Sequence, residues 1–282
     1  MGSRWSYWQP LLLEAFLISN YAFLVADIFV AHSVNDFHHW AEWIPFGFSI
    51  AAAPLLCAGM LGHGLRDRSP RYRWIGFVVG PASICVGIAG LLWHLQSQFF
   101  VDQTIQSLVY TAPFVAPLAY TGLGFLVLLS RMESREGTTM GRWVVLLALG
   151  GFLGNLILSL CDHAQNGFYH PTEWIPVASS AYAVAFLTVA LFAVGPRFLR
   201  LTLWMMLFQI LVGILGFLLH GQANLQGGSS NAYMDFIHGA PIFAPLLFAN
   251  LGLLATLGVY DVHTRSEREA APTEDTGQDP NS

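Results

Sequence analysis

Two segments of the chain carry side chains that bind transition metals, in the same order and at the same spacing. The first runs His32-Ser-Val-Asn35-Asp36-Phe37-His38-His39-Trp40-Ala41-Glu42-Trp43-Ile44-Pro45. The second runs His163-Ala-Gln-Asn166-Gly167-Phe168-Tyr169-His170-Pro171-Thr-Glu173-Trp174-Ile175-Pro176. Both fit H-x2-N-x3-H-x2-E-W-I-P, with a constant offset of 131 residues. A second pair of segments matches less closely: Trp93-His94-Leu-Gln96 with Leu219-His220-Gly-Gln222. Ala112-Pro113-x-x-Ala-Pro117 and Ala240-Pro241-x-x-Ala-Pro245 then follow, at offsets of 126 to 128.

Neutral imidazole with carboxylate is the ligand set of non-haem iron, copper or zinc. The candidate ligands are therefore His32, His39, Glu42 and His94 in one copy, and His163, His170, Glu173 and His220 in the other. Asn35, Gln96, Asn166 and Gln222 are of the right type to orient those ligands by hydrogen bonding. His38 and His238 have no counterpart. If residues 32–42 were helical, His32, Asn35, His39 and Glu42 would share one stripe. Pro171 disfavours helical geometry at His170, so a membrane helix is expected to begin near His39 and His170.

Simpler roles compete with these. A glutamate in a first helical turn stabilises free N–H groups, indoles anchor at bilayer interfaces, and the four prolines shape the start of helices four and eight. Histidine is less easily explained away, because ionisable groups at membrane depth are costly and these recur in register.

The elements that must hold them are membrane helices. The chain has 282 residues, 55% hydrophobic and only 10% charged, against about a quarter charged in soluble proteins. Apolar stretches of the roughly 20 residues needed to cross a bilayer fall at Pro10–Val30, Ile44–Leu65, Trp74–Trp93, Leu108–Leu129, Trp143–Leu160, Ile175–Val194, Phe198–Leu219 and Ile237–Tyr260. The first follows a single arginine and lacks a small-residue cleavage site, so it reads as an uncleaved helix. Cys57, Cys85 and Cys161 lie inside or at the ends of apolar spans without framework spacing, which argues against disulfides; Cys57 and Cys85 read as small buried hydrophobes, whereas Cys161 adjoins Asp162 and His163.

All twelve basic residues are arginines. They lie before helix one and after helices two, four, six and eight: Arg4; Arg66, Arg68, Arg71 and Arg73; Arg131, Arg135 and Arg142; Arg197 and Arg200; Arg265 and Arg268. Basic loops stay cytoplasmic, which places both termini inside. Eight histidines then lie on the opposite side, and only His63 and His263 inside.

These readings add up to an all-α integral membrane protein of eight transmembrane helices. They form two tandem parallel four-helix repeats at residues 1–135 and 136–264, with a polar, disordered cytoplasmic tail at 265–282. The expected location is the plasma membrane or a bacterial inner membrane, with the site facing the periplasm or exterior. The expected function is that of a metalloprotein with a pseudo-symmetric His/Glu site, the two copies pairing as a dinuclear centre or as two equivalent mononuclear ones. It would hold copper or non-haem iron and oxidise a lipophilic small molecule or a quinol. Three alternatives stay open. One is an electron-transfer protein holding haem b between His32 and His94 and between His163 and His220. The others are a metal-ion transporter or assembly factor, and a structural subunit bound to membrane-complex partners. Nothing points to nucleic acid.

Overall fold

The computed structural model describes residues 2–61, 65, 67–132, 139–192, 195–227 and 231–269. His63, Arg66, Arg135 and residues 270–282 of the expected tail lie outside them. The regular elements among the described residues are all helices, without a strand. The elements are α1 (Gly2–Ser33), α2 (Trp43–Met60), α3 (Pro70–Gln96), α4 (Phe99–Asp102), α5 (Ile105–Tyr110), α6 (Leu118–Met132), α7 (Thr139–Gln165), α8 (Trp174–Phe192), α9 (Pro196–Leu225), α10 (Ala232–His238) and α11 (Leu246–Glu269). Short 3-10 turns at Trp40–Glu42 and Pro171–Glu173 precede α2 and α8.

Seven of these helices are long and apolar enough to cross a membrane. α6, at 15 residues, is shorter. Large apolar side chains such as Val78, Ile88, Leu92, Trp204, Leu211 and Leu218 point outward, as they must where lipid is the solvent. Leu17, Leu56, Val127, Phe152, Leu187 and Met206 lie in the core. Cys57 and Cys85 also face outward rather than inward, contrary to the expectation from sequence.

Two expected spans are interrupted. Leu108–Leu129 divides into α5, an irregular turn and α6, while Ile237–Tyr260 divides into the end of α10, a turn and α11. The cause is the Ala-Pro-x-x-Ala-Pro sequence, since a proline inside a helix removes a backbone donor and clashes with the preceding turn. Conversely α1, α3, α7 and α9 run further than expected, so His32, His94, His163 and His220 are helical rather than in loops. α11 likewise continues to Glu269, beyond the expected start of the tail.

Each interrupted helix lies tightly on the helix before it: α6 against α3, and α11 against α9. Glycine makes this possible. A Cβ at Gly87 would stand 2.7 Å from the backbone nitrogen of Thr121, and one at Gly213 2.6 Å from that of Ala249. Small residues at such crossings let membrane helices pack backbone to backbone.

Candidate metal centre

In the first half His32 sits in the last turn of α1. The chain then reverses through Asp36 and Phe37, with φ of 54° and 51°, and the Phe37 N–H donates to the His32 carbonyl at 3.2 Å. A left-handed phenylalanine is strained by about 1–3 kcal/mol. Its ring rests on Trp43, 4.5 Å between centroids. His39 caps the following 3-10 turn, its Nδ1 accepting from Ala41 N–H at 3.3 Å. This path returns Glu42 to the end of α1, where its Oε1 lies 3.9 Å from His32 Nδ1. The expected stripe from His32 to Glu42 is not a continuous helix, because the left-handed pair breaks it.

His94, near the end of α3, supplies the third side chain. Its ring lies edge-on to His32 with centroids 6.3 Å apart. Its Nδ1 is 2.9 Å from the Pro113 carbonyl oxygen. A carbonyl only accepts, so in a neutral ring Nδ1 carries the hydrogen and Nε2 keeps its lone pair.

The second half repeats the turn, the His–Glu contact and the paired rings, but not the His39 cap. Gly167 and Phe168 have φ of 68° and 53°, and the Phe168 N–H donates to the His163 carbonyl at 3.0 Å. The Phe168 ring stacks on Trp174 at 4.0 Å. Glu173 Oε2 is 3.7 Å from His163 Nδ1, the His163 and His220 rings are 6.4 Å apart, and His220 Nδ1 is 2.9 Å from the Pro241 carbonyl. The helix interruption thus presents the carbonyl that orients each histidine. The prolines were visible in the sequence, but as helix-shaping residues.

Different side chains brace the proline segment in each half, and sequence reasoning missed both sets. In the first, Ala112 N–H donates to Ser97 Oγ at 3.0 Å and Thr111 Oγ1 donates to the His94 carbonyl at 2.7 Å. In the second, Asn224 donates to the Ala240 carbonyl at 2.9 Å and accepts from its N–H at 2.7 Å. No positional repeat exists to reveal them.

The structure therefore brings together His32, Glu42 and His94, and separately His163, Glu173 and His220. It does not bring His39 or His170 to them. Both are exposed; the former caps its turn and the latter's N–H donates to Glu173 Oε1 at 3.4 Å. Asn35, Gln96, Asn166, Gln222, His38 and His238 are exposed as well.

Among the described residues no three His, Cys, Asp or Glu side chains form a ready-made metal cage. The His–Glu pairs alone fall within the separation of two ligand atoms on one ion. Ligands bound at about 2.0–2.1 Å stand about 3.4 Å apart at a tetrahedral angle and about 4.1 Å apart across the metal, which brackets 3.7 and 3.9 Å. Two imidazoles on one ion place their ring centres about 5 to 6.5 Å apart; the observed pairs lie at the wide end. Glu42 Oε2 and Glu173 Oε2 are buried with no hydrogen-bond partner among the described residues. Such atoms call for a partner, which a water molecule or an ion could supply.

No protein-family model matches the chain, and no curated protein or solved structure shows a significant match to it.

Proposed function

We propose that the protein is a membrane metalloprotein with two similarly built His-Glu-His centres, one in each of two tandem parallel four-helix repeats. Both would lie near the non-cytoplasmic face, with both termini inside. The observation that carries this reading is the repeated triad. Each copy has a carboxylate oxygen buried without a partner and a histidine held by a proline carbonyl with Nε2 free. A backbone carbonyl on the distal ring nitrogen is the usual support of a metal-bound histidine.

Copper or non-haem iron suits this mixed donor set, and either ion supplies one-electron redox chemistry and Lewis acidity when bound. His32 and His94, with their equivalents, would hold the ion, and Glu42 or Glu173 would offset its charge. Exposed Trp40, Trp43 and Trp174 beside the triads are of the type that lies at headgroup level. A lipophilic substrate with a polar head, such as a quinol, would reach the centre there, which makes a redox enzyme the favoured reading. The ring spacing of about 6.3 Å also suits two axial imidazoles of a haem, but a haem leaves the neighbouring carboxylates without a role.

Metal analysis and an optical spectrum of the detergent-purified protein test the proposal. Two equivalents of copper or iron without a Soret band are expected, with about half lost in each of His94→Ala and His220→Ala. A Soret band would give the site to haem. Absence of both metal and haem would leave the transporter or structural alternatives.

A further inference from the structure

In each half the proline carbonyl that orients a histidine opens a four-residue turn. Pro113 O also accepts from the Ala116 N–H at 3.1 Å, and Pro241 O from the Ala244 N–H at 3.3 Å, the bond that closes a β-turn. The direction of each carbonyl therefore depends on the turn's two inner residues, Phe114 and Val115 in one half, Ile242 and Phe243 in the other.

The second of those residues is met from the opposite half. Phe243 packs edge-on against Phe23 of α1, with ring centroids 5.3 Å apart. Val115 lies against Gly154 of α7, where a Cβ would stand 2.9 Å from Val115 Cγ1. The two contacts correspond, since Phe23 and Gly154 differ by the 131 residues that relate the motifs, and Val115 and Phe243 by the 128 that relate the proline segments. Further bonds, different in each half, tie the same pieces together. One turn inward from Phe23, Asn20 and Asn250 of α11 hydrogen-bond in both directions. At the end of α7, Gln165 Nε2 donates to the Val109 carbonyl of α5 at 2.7 Å.

α1 and α7 are also the helices that carry His32 and His163. The helix bearing one histidine of each triad thus backs the turn that orients the second histidine of the other. Close-packed side chains transmit a displacement rather than absorb it, so a change at these contacts reaches the carbonyl. We propose that Phe23 is a positioning residue for His220, and that Gly154 and Gln165 are positioning residues for His94. The two sites are then assembled crosswise rather than each within its own half. The consequence for metal binding rests on the metal reading above; the positioning does not.

Nuclear magnetic resonance of the metal-free, 15N-histidine-labelled protein tests it. Above the ordinary histidine pKa, two-bond 15N–1H correlations show which ring nitrogen carries the hydrogen, and that choice is set by the bond the ring makes. His94 and His220 are expected in the Nδ1–H form, assigned by the signals lost in His94→Ala and His220→Ala. Phe23→Ala should move His220 toward a mixture of forms and leave His94 as it is, with Phe23→Leu doing so less. Gly154→Ala and Gln165→Leu should act on His94 alone. An effect of Phe23→Ala confined to His94, equal on both rings or absent from both would overturn the inference. If Phe23→Ala or Gly154→Ala does not fold, Phe23→Leu and Gln165→Leu decide by the same criterion. Copper or iron content of the purified protein reads the metal proposal separately, so a crosswise effect in a protein that binds neither metal would sink that proposal and leave the positioning standing.

Discussion

The halves agree closely at the histidine end and disagree at the opposite end. About 27 Å from His32 along α1, Glu14 forms a two-pronged pair with Arg131 of α6 at 2.7 and 2.8 Å. Tyr72 of α3 joins both, donating to Glu14 at 3.1 Å and accepting from Arg131 at 2.7 Å. Its ring also lies 3.7 Å below the guanidinium. The register-matched residues in the second half are Val145, Phe198 and Val259. There α7 packs directly along α11, whereas α1 and α6 touch at few points and the charged pair spans between them. The His–Glu–His arrangement, by contrast, is present in both halves.

The largest expected effect breaks that comparison at the charged cluster. Arg131→Ala leaves Glu14 buried and unpaired and is expected to cost about 3–5 kcal/mol, read as a lowered unfolding midpoint in detergent. Glu14→Val/Arg131→Val copies the second half and should recover most of the loss, because an apolar replacement of a buried pair is often neutral. A double variant as unstable as the single one would show that the ion pair is required where it stands.

A smaller effect is expected from the braces on the proline segments. Asn224→Ala removes two hydrogen bonds to Ala240, and Ser97→Ala removes the acceptor for Ala112. Each leaves a backbone N–H short of a partner, at a cost of about 1–3 kcal/mol. Each should also disturb only the histidine of its own half, visible as loss of one of two metal signals. Asn224→Asp keeps the acceptor for the Ala240 N–H and should lose less than Asn224→Ala. Equal disturbance of both signals by either alanine variant would mean that the braces act on the whole bundle.

Much of the membrane architecture is legible in the sequence, because apolar length is a direct consequence of bilayer thickness. The triads are half legible. His32, Glu42, His94 and their partners stand out because type and spacing recur together. His39 and His170 recur just as well, yet their regularity reflects the turn they help to build. What spacing could not show is the reversal at Phe37 and Phe168, which swings each glutamate back to the preceding helix. Phenylalanine gives no signal for a left-handed conformation. The Glu14–Arg131 pair escaped for a related reason, since an arginine at a helix end reads as a cytoplasmic loop charge until the fold buries it.

That reversal yields the smallest expected effect, and it separates the halves by one residue. The left-handed position before the phenylalanine holds Asp36 in the first copy and Gly167 in the second. Glycine meets no penalty there, and aspartate meets less than other residues because its short polar side chain bonds locally. Gly167→Ala is expected to destabilise by about 1–2 kcal/mol and Gly167→Asp by less, measured as unfolding midpoints. Asp36→Gly works against two opposed terms, relief in the folded turn and added freedom in the unfolded chain, and should change stability by less than about 1 kcal/mol. If Gly167→Ala instead left both the midpoint and the second metal signal untouched, the turn would not be what holds Glu173 against His163. The stack of Phe168 on Trp174 would then have to position the carboxylate by itself.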